Sequence, residues 1–335
     1  MANDTVLVDA DVLRGRMAGR LEQAGLEAGM AQDTATILAE ADLLGHRTHG
    51  IALLKMYLDC IRDGTMASSG APDVLSKRGA AQLWDGKRLP GAWLTLKAIA
   101  EAETMARTHG TGTIVIRRSF HIACLAAYLE PVARRGMILQ LQTSAPQSAT
   151  VAPAGGTSAV LSPSPLAIGY PTDNQPVLID ISTSVTSNSL VRQLAREGRS
   201  LPHPWVIRED GKATTDPQES EVILPLGGLD AGHKGYAMGL MVEALTSGLA
   251  GKGRADETSF LGANVFVQVI DPEAFGGLDA LGGVMGHVSE LCRAARPIDP
   301  ANPVRLPGEA ALARKARQLQ DGVTVDAALW AMHSG

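Results

Sequence analysis

No strand in this sequence runs into a G-x-G-x-x-G turn, the device by which a helix N-terminus holds a pyrophosphate in the common dinucleotide-binding fold. A P-loop, a nucleophile elbow and a zinc-protease helix are missing too, which removes the best-marked phosphate, acyl-transfer and metallohydrolase classes. Cysteine is scarce. Cys60, Cys124 and Cys292 lie far apart and are odd in number, which speaks against a disulfide framework and for a reducing compartment. No segment approaches the roughly 20 apolar residues that cross a bilayer. The opening MANDTVLVDADVLRGRM carries Asp4, Asp9 and Asp11 where a secretory leader needs a basic and then an apolar stretch. The expectation is a cytoplasmic chain without a membrane partner. Neither charge sign dominates: 30 Lys and Arg stand against 35 Asp and Glu, intermixed, for a net charge of −5, which excludes nucleic acid as the main partner. Repeats, heptad arrays and low-complexity linkers are absent as well.

What is present is a chain of 335 residues, 45% hydrophobic, able to bury one large core or two modest ones. Leu13, Met17 and Leu21, then Ile37, Leu38, Ala41 and Leu44 behind a capping Asp33, then Leu54, Tyr57, Leu58 and Ile61, recur at helical spacing. They predict a helical domain over 1–75, which the C-terminal segment 296–335 joins. From Asp73 the period changes. DVLSKR and AAQLWDGKR read as strands, the second turning at Asp85-Gly86, and a helix over 91–108 follows. TGTIVIRR and MILQLQTS read as buried strands around a helix over LAAYLEPVARR, and QPVLIDIS and NVFVQVID as further strands. The stretch after Asp180 becomes a helix, and DGKATTDP is turn-rich. KGYAMGLMVEALTSGLAG is apolar on nearly every side, so it predicts a buried helix in which Glu243 is paired or at an edge. Helices over 279–295 and 309–320 close the chain. Alternating periods make the class α/β, with 76–295 as its α/β domain.

Three histidine clusters could carry chemistry. His46 and His49 are three apart at a helix end, a spacing that suits a metal, a catalytic pair or a plain structural role. His121 follows a buried strand, and imidazole suits proton transfer near neutrality. Arg117 and Arg118 beside it could grip an anion, and Cys124 opens a Cys–His alternative. His233 and Lys234 head the apolar helix, where the macrodipole disfavours a cation, so Lys234 there suits a bound phosphate. Among glycines, Gly155-Gly156 and Gly227-Gly228 are the better loop candidates, while Gly110-Thr111-Gly112 precedes its strand.

At these clusters the sequence resembles the malate/L-lactate dehydrogenase type 2 family, whose relatives include ureidoglycolate, sulfolactate and diketogulonate oxidoreductases and cyclic-imine reductases. The resemblance runs in order through ADLLGHRTHGI, RRSFHIA, TSAPQSATVAPAGG, VLIDIS, DGKATTDP, LPLGGLDAGHKGYAMGLMVEALTSGLAG, VFVQVIDPEAFGG and RLPGEAALARKARQLQDGV, and so covers nearly the whole chain. It implies a homodimeric NAD- or NADP-dependent enzyme on a non-Rossmann fold, with a mixed, largely antiparallel sheet. It places His121 on the proton donor and acceptor, and His49 in a Ser-His-Gly motif whose serine is here Thr48. Ser144, Asp180, Ile181 and Ser182 fall near cofactor contacts, His233 beside them in the match and Lys234 on the cofactor-binding lysine. Departures are Leu53 for a carboxylate-gripping arginine, Ser164-Pro165 for Asn-Pro, and Ile122-Ala123 for an aromatic and a glycine. The expected reaction is hydride transfer between a nicotinamide and a small 2-hydroxy or 2-oxo acid, or a related carbonyl or imine compound, with no resident metal. With Leu53 there, either Arg117, Arg118 or Arg192 supplies the charge for an acid group from another direction, or the substrate turns an amide, ester or apolar group toward Leu53. The second is favoured, because Arg117 and Arg118 adjoin a strand and at least one of them should point away from the site. The rival expectation is a metal-dependent hydrolase or lyase built on His46, His49 and His121.

Overall fold

The computed structural model describes residues 4–256 and 262–333. After a short strand β1 (Thr5–Val8), three helices form the first layer: α1 (Ala10–Gln23), α2 (Ala28–Leu44) and α3 (Leu54–Arg62). Asp9 caps α1 by accepting from the Asp11 and Val12 amides at 2.9 and 3.1 Å. The second helix starts earlier than its best capping residue suggests. Glu27, not Asp33, precedes it and provides no side-chain cap, so its start leaves no capping signal to read. The buried faces of these helices, Leu13, Met17, Leu21, Ile37, Leu38, Leu54, Tyr57 and Leu58 among them, belong to the same continuous core as the sheet that follows.

That sheet contains β2 (Asp73–Arg78), β3 (Ala81–Asp85), β4 (Thr111–Phe120), β5 (Ile138–Ser144), β6 (Leu166–Tyr170) and β7 (Val177–Ile181), with α4 (Gly91–His109) and α5 (Ala126–Arg134) packed on it. After α6 (Asn188–Glu197), the short strands β8 (Val206–Ile207), β9 (Ala213–Thr214) and β10 (Val222–Ile223) make a separate small sheet. It has its own core of Val151, Leu161, Val191, Leu194, Leu201, Val206 and Ile223. Next come α7 (Gly228–Glu243), β11 (Gly262–Ile270), α8 (Leu278–Ala294), α9 (Glu309–Asp321), β12 (Val323–Asp326) and α10 (Ala327–Met332). The large sheet runs β2-β3-β4-β11-β5-β6-β7. Among the described strands only β3 and β4 pair parallel, so the sheet is mixed and largely antiparallel. The late strand β11 enters its middle between β4 and β5, and β12 pairs with β1, which joins the end of the chain to the helical layer. Lys315 on α9 reinforces that junction by pairing with Glu40 on α2 and Glu130 on α5.

The turn after β3 falls later than Asp85-Gly86. Positive φ occurs at Lys87 and Arg88, because the chain must swing into α4 rather than fold back as a hairpin. The Gly110-Thr111-Gly112 glycines are structural: Gly110 ends α4 in the left-handed region, and a Cβ at Gly112 would lie 2.1 Å from the Ala102 carbonyl oxygen.

The apolar helix is not buried all round. In α7 the side facing the fold is a glycine row: a Cβ at Gly235 would lie 2.4 Å from the Leu226 amide nitrogen, and one at Gly239 3.3 Å from Leu161 Cδ1. Backbone-close packing uses the small residues, so the large ones, Leu229, Leu240, Met241 and Leu249, face outward. Glu243 pairs with Arg254. No described helix is long and apolar enough to cross a membrane.

Candidate active site

The site grows from the turn between α2 and α3. Asp42, in the last turn of α2, accepts the Ile51 amide at 2.8 Å, and a Cβ on Gly50 would lie 2.1 Å from its carboxylate. Glycine after His49 is therefore required by close approach, at φ −98°, and not by a left-handed backbone. Two short 3-10 turns, 47–49 and 51–53, flank it and present Thr48 and His49. The Thr48 hydroxyl lies 2.9 Å from His49 Nδ1, and the His49 ring stacks toward that of His121 at 6.4 Å between centroids.

His121 is held from several sides. The N-terminus of α4 abuts its backbone so closely that a Cβ on Gly91 would lie 2.6 Å from its carbonyl oxygen. The fully enclosed Tyr57 hydroxyl is 3.0 Å from His121 Nδ1 and 3.2 Å from its carbonyl oxygen, and the Ala123 amide nitrogen lies 3.2 Å from Nδ1. Ala123 holds that amide in place at φ +59°, a conformation that glycine adopts freely and alanine does not. The glycine that the resemblance implies at this position would adopt the conformation without strain. Ser164 at φ +37° fills a similar place, where asparagine tolerates positive φ better. Burial pushes the His121 imidazole down to about 4, with His49 adding to the effect. Burial also lowers His49; His46 pushes the same way and Asp180 opposes it.

Tyr57 was legible only as a core position of α3. Its signal was the single hydroxyl on the buried face of Leu54, Leu58 and Ile61, since a buried phenol needs a partner.

Arg117 and Arg118 do not face the site as free anion binders. Successive strand residues should point to opposite sides, but the β4–β11 register slips between Ala263 and Val265 and Arg118 takes φ +51°. The bulge turns both guanidiniums onto the buried Asp85 carboxylate, at 3.0 Å from Arg117 Nε and 2.8 Å from Arg118 Nε. Leu53 is half-buried and packs against the main core.

Asp180, at the end of β7, accepts the Ala126 amide at 2.8 Å and stands 3.6 Å from the Cys124 sulfur. Burial and Asp180 raise the Cys124 thiol well above its usual range, so it is no thiolate nucleophile for His121. A ring nitrogen of His46 lies within 4.8 Å of the ligating atoms of this pair. Among the described residues the convergent ligand-type trio is His46, Cys124 and Asp180, and the three histidines do not form one.

Beyond Asp180, Ile181 is exposed and the Ser182 hydroxyl donates to the Pro163 carbonyl oxygen at 3.1 Å. The Leu226 amide bonds Thr183 at 2.8 Å and Gly239 lies against Thr183, so α7 packs on the segment leaving β7. A break at Ala231 splits α7, and His233 and Lys234 stand in the first turn of its second piece. Both are exposed, and Lys234 makes no ion pair among the described residues. Ser144 is enclosed and bonded to Ser247 and Thr246 at 2.9 and 2.7 Å. A π-helical turn over 244–248 brings those two hydroxyls to it.

These features place a buried imidazole pair on a non-Rossmann α/β fold. The sequence profile of malate/L-lactate dehydrogenase matches residues 8–332. The chain is 30% identical to malate dehydrogenase of Pyrococcus horikoshii over 89% of this chain and 86% of that one. It is 29% identical to delta(1)-pyrroline-2-carboxylate reductase of Ancylobacter novellus over 93% and 92%. Its fold superposes on a crystal structure of a dehydrogenase from Sinorhizobium meliloti with a TM-score of 0.88, at 30% identity, covering 99% and 98% of the two chains. The chain belongs to the malate/L-lactate dehydrogenase family, and it is a dehydrogenase or reductase acting on CH–OH or C=N groups. Dehydrogenases of this family use nicotinamide cofactors.

Proposed function

We propose that the protein uses NAD or NADP and interconverts a small 2-hydroxy acid and its 2-oxo form, or reduces a related carbonyl or cyclic imine, with His121 moving the proton. The observation that carries this is the setting of His121 Nδ1. Tyr57 Oη lies within reach of both that nitrogen and the His121 carbonyl oxygen. Nδ1–H donates to Tyr57 Oη while the Tyr57 hydroxyl donates to the His121 carbonyl oxygen, which selects the tautomer whose Nε2 is unprotonated in the neutral ring. The same two bonds persist when Nε2 takes up a proton, so Nε2 is the atom that exchanges it with substrate.

The bound nicotinamide would supply or accept the hydride. Lys234 fits a cofactor phosphate, being an exposed cation without an ion-pair partner among the described residues at the start of a helical piece. His233 beside it, exposed Ile181 and half-buried Ser182 offer further contacts, and Ser144 supports the turn next to them from inside. His49 and Thr48 orient the substrate from the opposite ring, and Asp180 opposes the loss of positive charge on His49. Arg117 and Arg118 are committed to Asp85, so neither of them replaces the clamp missing at Leu53. The reading is of a substrate that turns an uncharged group toward Leu53. A cytoplasmic setting fits three cysteines that form no disulfide. A homodimer fits the apolar face of α7.

Consumption of reduced cofactor, with both dinucleotides, against matched 2-oxo acids, their amides and esters, and cyclic imines tests the assignment. Turnover with the uncharged analogues should equal or exceed that with the free acids; the reverse order would sink the reading of Leu53. His121→Asn should lose about 100- to 10,000-fold in turnover, the usual contribution of a positioned acid or base, while cofactor affinity stays unchanged. Near-normal turnover in that variant would remove His121 from the chemistry.

A further inference from the structure

We propose that His46, Cys124 and Asp180 form a binding site for one zinc-class divalent cation, set beside the imidazole pair and separate from it. The donor atoms of the three residues lie within 4.8 Å of one another. They come from three places in the fold: the residue just past α2, the loop after β4, and the end of β7. Convergence from such distant segments is not an accident of one turn.

The geometry suits a tetrahedral ion. With Zn–S near 2.3 Å and Zn–O near 2.1 Å, the sulfur-to-oxygen edge of a tetrahedron is about 3.6 Å. Cys124 Sγ and Asp180 Oδ2 stand 3.6 Å apart. The remaining edges close by small rotations of the side chains, since all three pairs are already within 4.8 Å. Imidazole, thiolate and carboxylate together select zinc and its neighbours over calcium or magnesium, which take oxygen alone. Three protein donors leave a fourth position open, and the half-buried His46 and Asp180 mark the side from which an ion enters.

The supporting shell is in place as well. The Ala126 amide donates to the same Asp180 oxygen at 2.8 Å and fixes the carboxylate, as outer partners of metal ligands do. The His46 backbone is pinned by donation to the Ala41 carbonyl at 2.7 Å, while its ring makes no hydrogen bond to a described residue and is free to ligate. On binding, the Cys124 S–H bond breaks, a sulfur–metal bond forms and the proton leaves to solvent, so affinity rises with pH. Occupancy places positive charge next to His49, which both His46 and Asp180 already influence.

Cobalt(II) titration of the purified full chain, freed of metal by chelator, reads the site directly. We expect a one-to-one endpoint with a thiolate-to-cobalt charge-transfer band and the visible intensity of four-coordinate cobalt. Cys124→Ser should abolish the band, and His46→Ala and Asp180→Asn should each weaken binding by at least about tenfold, as loss of even an outer partner can. Cys292→Ser should change nothing. Zinc-edge absorption of the zinc-loaded wild type, which needs no variant to fold, should show one sulfur at about 2.3 Å. A shell without sulfur, or a band that survives Cys124→Ser, would overturn the proposal.

Discussion

Tyr57, outside the motifs that mark the site, and Ala123, at the end of RRSFHIA, show how much of it rests on single residues. If Tyr57 holds the Nδ1–H tautomer of His121, Tyr57→Phe keeps the ring packing against Phe120 and removes only the hydroxyl. The loss of a hydrogen bond to a charged group is worth about 1.5–3 kcal/mol, so turnover should fall roughly 10- to 100-fold. A purely structural role would leave the pH profile unchanged. In wild type, with His121 pushed down to about 4, kcat/KM for oxidation should stay flat from pH 8 to about 5, because the free base persists throughout. A wild-type acid limb near 6.5 would refute that assignment. Removal of the Tyr57 hydroxyl, which can accept from Nδ1–H, should move the limb lower still. Ala123 offers a complementary test. Alanine in the left-handed region costs roughly 1–2 kcal/mol, and glycine returns part of that as chain entropy. Ala123→Gly should therefore raise stability by about 0.5–1 kcal/mol in denaturant unfolding, and an unchanged or lower midpoint would show that the turn is unstrained.

At the scale of elements, the join between α2 and the His49 turn stores a pH-dependent cost. Asp42 sits in the last turn of α2, where the macrodipole disfavours an acid, and burial pushes its carboxyl up to about 7 despite the Ile51 amide and Arg47. A raised folded value means the native state holds the proton more tightly than the unfolded chain. Stability should then fall as pH rises from about 4 to about 7 and level off above, by roughly 4 kcal/mol in all. Asp42→Asn keeps an oxygen for the Ile51 amide and cannot ionise, so its unfolding midpoint should be flat across that window and exceed wild type at pH 8. A slope that persists in the variant would place the titration elsewhere. The same join shows what was legible. The periodic faces of α1, α3 and α4 and the runs of β4, β5 and β11 were readable, because each is long enough to repeat its period. Strand order was not, since nothing local says that β11 enters between β4 and β5. The two-residue strands of the small sheet have no period to read. His121, His49 and Lys234 could be picked out by position and resemblance. The meeting of Cys124 with Asp180, 56 residues away, could not, and neither could the bulge that turns Arg117 and Arg118 onto Asp85.

For the whole molecule, α7 is built the wrong way round for a surface helix of a monomer. A surface helix buries its bulky residues and shows its polar ones, yet α7 buries Gly232, Gly235 and Gly239 and shows Leu240 and Met241 at 47% and 44% exposure. Its neighbour in sequence across β11 repeats the pattern, with Val284, Val288 and Leu291 open at 65%, 41% and 59%. Glycine inside lets the helix sit close to the Leu226 backbone, and the apolar residues outside then need a cover of their own. The proposed homodimer would supply it, as an isologous pair that sets the α7 face of one subunit against the other. Sedimentation should accordingly give about twice the 35.0 kDa chain mass. Leu240→Glu should shift the mass to that of one chain without unfolding it, because the side chain points away from its own core. Because Lys234 and this face share a helix, the monomeric variant should also bind cofactor more weakly than wild type. A wild type that sediments as a single chain at every concentration would show that α7 is covered by something other than its twin.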